Sequence, residues 1–126
     1  MSWTFRHYPL RSVHSHAFTA AIASECADDQ GSFRAFHDAL FRWQDSIGRW
    51  PWRRFADSAA VPHPDRLARC VDSRRHVQRV RSDMETAQKL QVTATPTLIV
   101  NGLFLSGSPS RRKLDSLAAA AIGAGR

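Results

Sequence analysis

Val92-Thr93-Ala94-Thr95-Pro96-Thr97-Leu98-Ile99-Val100-Asn101-Gly102-Leu103-Phe104-Leu105 decides how the rest of this 126-residue chain is read. Residues 97–100 are a short β-branched and apolar run, and residues 103–105 are its apolar return. Between them stands Asn101-Gly102, the dipeptide that most readily takes the two positive φ angles of a type I′ turn, so the stretch predicts an antiparallel hairpin. Pro96 precedes the first strand, where its missing N–H costs no ladder bond. The same proline drives Thr95 towards extended geometry.

Outward from the hairpin on its C-terminal side, Gly107 turns the chain. Ser108-Pro109 then predicts a helix with proline in its first turn and Leu114, Leu117 and Ala121 on its apolar face. On the N-terminal side, residues 3–8 alternate large apolar and polar side chains with period two and read as a strand ended by Pro9. Residues 12–29 carry Phe18, Ile22 and Cys26 at spacings of four on one stripe of an alanine-rich helix that Gly31 ends. Ser32 is placed to cap the next helix, with Phe33, Phe36, Leu40, Phe41 and Trp43 at helical spacing. Trp50-Pro51-Trp52 leads into a short helix to about residue 60, and Val61-Pro62-His63-Pro64 reads as a loop. Asp65 is placed to cap a short helix carrying Leu67 and Cys70. Asp72 or Ser73 is placed to cap a longer one over residues 74–91, with Val77, Val80, Met84, Ala87 and Leu90 inward and Arg75, Arg79, Asp83 and Lys89 on the polar face.

The chain suits one domain and, at this length, buries roughly two thirds of its extended surface without obligatory staples. Its formal charge is +7, from 18 basic and 11 acidic residues. The basic residues are nearly all arginines scattered along the chain, which favours a solvated surface over a nucleic-acid site. No signal peptide is read at the N-terminus and no apolar run approaches the roughly 18 residues of a membrane span. The chain as given therefore reads as soluble and cytoplasmic, while its two cysteines leave the compartment open.

Thr-Pro-Thr before an apolar strand, Asn-Gly, a second strand, a glycine and a closing helix resemble the C-terminal half of a thioredoxin-fold protein. Within that superfamily, Phe5-Arg6-His7-Tyr8-Pro9-Leu10, Glu25-Cys26-Ala27, Gln30-Gly31, His37-Asp38-Ala39-Leu40-Phe41 and Cys70 resemble the DsbA-like thiol–disulfide oxidoreductases, over about residues 3–117. The resemblance implies an α/β fold in a single domain over residues 1–122, with a helical insertion at about 12–91 and an incomplete three-stranded sheet. It implies a cis bond before Pro96, with Thr95 and Pro96 binding extended, cysteine-containing protein substrates. The family's opening strand and its Cys-x-x-Cys helix have no counterpart here, so the chain is expected to be an N-terminally shortened member.

Cys26 and Cys70 are the only thiols, each on an apolar helical stripe. They read either as small hydrophobes in the core or, by the resemblance, as a structural disulfide stapling the insertion. A catalytic pair is disfavoured, since an attacking thiolate needs exposure and a depressed pKa. His14-Ser15-His16 and the dispersed His7, His37, His63 and His76 lack a carboxylate or cysteine at metal spacing, so no metal and no cofactor is expected. His37-Asp38 reads as a packing feature, and Ser106, Ser108 and Ser110 lack a nucleophile-elbow context. The expectation is thus an oxidoreductase of the DsbA-like family without turnover of its own, with no catalytic residue in this chain. The alternative is a non-catalytic thioredoxin-fold binding module. In either case unpaired strand edges make homo-oligomers an expected partner state.

Overall fold

A computed structural model describes residues 3–10 and 14–124, with side chains up to residue 120. The elements are α1 (Ala17–Asp28), α2 (Phe33–Arg42), a 3-10 turn (Gln44–Ser46), α3 (Trp52–Ser58), α4 (Pro64–Ser73), α5 (Val77–Lys89), β1 (Thr97–Val100), β2 (Leu103–Ser106) and α6 (Arg111–Ala124). Two compact units result, His7–Glu85 and Met1–Arg6 with Thr86–Arg126.

The first of these units is helical and is built around α1. Phe18, Ile22, Ala23, Cys26 and Ala27 of α1 are buried together with Phe36 and Leu40 of α2, Phe55 and Ala56 of α3, Val61, and Leu67 and Val71 of α4; Val80 of α5 completes the cluster. Phe18, Ile22 and Cys26 lie one turn apart on a common stripe of α1, and every residue from Ile22 to Ala27 is buried, so this part of the helix is covered all round. Phe55 is the aromatic centre, with the rings of Trp50, Trp52 and Phe36 at 5.1, 5.6 and 6.5 Å.

Several element starts differ from the sequence expectation, each for a local reason. Helix α1 begins at Ala17; the expected start at Ser12 lies outside the described residues. Ser32 does occupy the N-cap of α2, but its hydroxyl bonds the Gln30 carbonyl rather than an orphan N–H. Asp65 does not cap α4: Pro64 opens that helix, as its fixed φ and absent N–H allow. The preceding His63 is held by Gln30, whose Oε1 accepts from its N–H at 2.8 Å and whose Nε2 donates to its carbonyl at 3.1 Å. Asp72 and Ser73 stay inside α4, because Arg74 takes a left-handed conformation (φ 57°) and ends it, so α5 starts only at Val77. Helix α6 starts at Arg111, so Pro109 lies ahead of it and not in its first turn, and Ser110 caps it, accepting the Lys113 N–H at 3.1 Å. Ala121 of the expected apolar face lies outside the described side chains.

In the other unit β1 and β2 form an antiparallel hairpin, with Thr97 opposite Ser106, Leu98 opposite Leu105, Ile99 opposite Phe104 and Val100 opposite Leu103. Asn101 (φ 51°) and Gly102 (φ 83°) make the turn, both in the positive region the dipeptide supplies. Helix α6 packs on β1. The sheet has two strands among the described residues rather than three, since residues 3–8 join no ladder. Period-two alternation encodes only a preference for two faces, and a strand also needs a neighbour for its backbone. At His7 that role falls to a side chain, for its N–H donates to Asp83 Oδ2 at 3.0 Å.

Candidate functional site

Two places bring the sequence-predicted residues to the surface, one in each unit. The first is the loop ahead of β1. The Thr95–Pro96 bond is cis. Thr93, Ala94, Thr95 and Pro96 are all exposed. The loop is held at its far end, where Thr97 Oγ1 donates to the Ala94 carbonyl at 2.6 Å and the Pro96 carbonyl accepts the Gly107 N–H at 2.8 Å. Thr95 itself makes no hydrogen bond with any described residue. Its N–H and carbonyl therefore stand in solvent at the head of a strand whose outer edge joins no further ladder among the described residues.

The second place is a cleft of about 250 Å³ between α1 and α4. Cys26 of α1 and Cys70 of α4 are disulfide-bonded across it, their Cα atoms 5.9 Å apart. Cys26 is buried, but Cys70 is only half-buried and lines the opening with Arg66, Arg69 and Arg75. This corrects the expectation that both sulfurs lie on sealed apolar stripes. Helix α4 is short and its outer side faces solvent, so Cys70 sits at the margin of the core. Asp29, at the end of α1, lies against the bond, with its Oδ2 3.8 Å from Cys70 Sγ, 2.7 Å from His76 Nε2 and 4.0 Å from Arg75. Cys26, Cys70 and His76 each bring a metal-competent atom within 4.8 Å of the other two.

Cys70 and His76 are separated by the end of α4, where no fixed period applies, so the sequence alone does not show this grouping. The one local signal was Asp29, three residues after Cys26 and so on the same side of α1. A third cluster is sealed. His7, Glu25 and Asp83 are 5%, 7% and 2% exposed, with His7 Nε2 2.6 Å from Glu25 Oε1. Asp83 was expected on the polar face of its helix and is instead among the most buried side chains of the chain. Of the other histidines, His37 packs against Phe33 and Phe41, with ring centroids at 5.7 and 4.9 Å, and His14 and His16 are exposed.

The family described as Thioredoxin matches residues 1–118 of this chain. Among curated proteins, the chain is similar to a protein named Na(+)/H(+) antiporter NhaA 1 of Mycolicibacterium vanbaalenii, 39% identical over 107 residues, covering 83% of this chain and 17% of that protein. It is similar to one named Na(+)/H(+) antiporter NhaA 3 of Salinispora tropica, 36% identical over 100 residues, covering 79% and 15%. A third relative, named Na(+)/H(+) antiporter NhaA, of Herminiimonas arsenicoxydans, is 31% identical over 117 residues, covering 93% and 18%. The chain thus spans less than a fifth of the length of these relatives. No helix among the described residues is long and apolar enough to cross a membrane.

Proposed function

Because the chain belongs to the thioredoxin family and has its mixed α/β fold, we propose that it is the substrate-holding part of a DsbA-like thiol–disulfide oxidoreductase. The observation that carries this reading is Thr95, exposed at the head of β1 with its backbone donor and acceptor unengaged by any described residue. An extended polypeptide laid along Thr95 gains main-chain hydrogen bonds of the strand-addition kind, and side-chain contacts then set its specificity. Exchange itself requires a reactive thiolate with a resolving partner. The sequence holds no Cys-x-x-Cys, and its two cysteines are bonded to each other. In this reading the loop binds the substrate strand and a thiolate from a separate segment or chain performs the exchange.

A nuclear magnetic resonance titration of the isotope-labelled chain with a short cysteine peptide, its thiol alkylated, tests this. The amides of Ala94, Thr95 and Thr97 shift first. Thr95→Pro, which deletes one donor, weakens binding about 5- to 10-fold, the worth of one hydrogen bond. Binding that leaves these amides unmoved, or that Thr95→Pro does not change, overturns the reading.

The names of the relatives favour a second reading, in which the fold is an accessory domain of a sodium/proton antiporter. Co-purification of this chain with the membrane part of such an antiporter supports it, and failure to co-purify counts against it.

A further inference from the structure

The cleft at the Cys26–Cys70 bond has a chemistry that substrate holding does not use. We propose that, once this disulfide is reduced, Cys26, Cys70 and His76 form a zinc site, so that the helical unit is held by a covalent bond in one redox state and by a metal in the other. The two Sγ atoms and a ring nitrogen of His76 lie within 4.8 Å of one another. Zn–S bonds of about 2.3 Å and Zn–N bonds of about 2.0 Å set tetrahedral edges of roughly 3.3–3.8 Å. The imidazole therefore closes in by about an ångström, and the two sulfurs, no longer bonded, move apart to the same spacing.

Donor type and charge agree with this. Two thiolates and an imidazole are the set that selects zinc over the hard, oxygen-seeking cations. The two thiolates neutralise Zn²⁺, and Asp29 is balanced by Arg75, 4.0 Å away. Asp29 Oδ2 is already 2.7 Å from His76 Nε2, a carboxylate–imidazole contact that holds the ring and leaves its other nitrogen, Nδ1, to ligate. Cys70 opens on the cleft, so an ion has an entry path and the fourth position is left for water.

The redox step balances. A dithiol is oxidised to its disulfide and passes two electrons and two protons to the Cys26–Cys70 bond, giving two thiols. Zinc then displaces both protons to solvent and takes the two thiolates. In the oxidised chain the sulfurs have no charge to donate, and the site does not exist.

The test uses the full chain, oxidised and phosphine-reduced without oxygen, titrated with Co²⁺ as a spectroscopic probe and then with Zn²⁺. Reduced chain gives thiolate-to-cobalt charge-transfer bands and the intense visible bands of a tetrahedral ion, both erased by one equivalent of zinc. Oxidised chain gives neither. Zinc affinity falls about 100-fold in His76→Ala and about 10-fold in Asp29→Asn, while both oxidised variants keep the wild-type circular dichroism. If the reduced apo chain loses its helices, zinc restores them in wild type and not in His76→Ala. The proposal is overturned by absent thiolate bands in the reduced chain, by equal binding to the oxidised chain, by bands that His76→Ala leaves intact, or by a reduced, unfolded chain that zinc does not refold.

Discussion

Asp83 is a carboxyl side chain buried in the helical unit, and what it touches explains why it stays there. It accepts the backbone N–H of His7, and the His7 side chain meets Glu25 at 2.6 Å, so the segment entering the helical unit is tied to α1 and α5 by buried polar contacts. Removing the acceptor strands a buried donor, which costs more than the net value of the bond. Asp83→Ala is expected to lower stability in urea by about 2–3 kcal/mol, and Asp83→Asn, which keeps an oxygen, by about half of that. Equal, small losses for the two variants would show that the carboxylate is not holding His7. The position was partly legible, since Asp83 lies three residues after Val80 and four before Ala87 and so falls within the apolar stripe by period. Reading charge as exposure, rather than following the period, put it on the wrong face.

At the scale of elements, the hairpin was legible to within one residue, β2 running on to Ser106, because turn chemistry is local. Asn101 and Gly102 satisfy their own φ requirements without help from any distant contact. Gly102→Ala should cost about 1 kcal/mol or more. A Cβ there meets nothing within 4 Å, so the whole loss is conformational and not steric. Faster hydrogen exchange at the Leu103 amide, with the helical unit unaffected, is the expected readout, and unchanged exchange would count against it. Helix starts were less legible, because Arg74 ends α4 in a conformation that arginine has no local reason to choose. The bond between Cys26 in α1 and Cys70 in α4 spans a sequence separation of 44 residues. In the chain-entropy account its loss costs about 4 kcal/mol, so Cys26→Ala/Cys70→Ala, with zinc chelated, should unfold at correspondingly lower urea. A loss under about 1 kcal/mol would mean that the unfolded chain is already compact.

For the whole molecule, two predictions concern what the chain does alone. It is expected to show no turnover in insulin reduction, because its thiols are joined to each other and no resolving pair stands near the Thr95 loop in sequence. Activity that disappears in Cys70→Ser would show that the half-buried Cys70 is reactive after all. The second prediction is self-association. What the sequence could not supply was a partner for its strands: alternation at residues 3–8 predicted a third strand, yet the sheet stops at two among the described residues. Along the hairpin, Leu98 and Leu105 are half-buried, whereas the opposed pair Ile99 and Phe104 is 45% and 47% exposed. An exposed apolar pair beside a strand edge that joins no ladder is a template for another strand. We propose that two copies meet edge to edge along β1. Light scattering after size exclusion should then give a mass above the 14.2 kDa of one chain. Ile99→Lys, which places a charge on the exposed face without entering the core, should return it to a monomer. A clean monomer for the parent chain at high concentration, with a single cooperative melt, would mean that the two-stranded edge is stable in water as it stands.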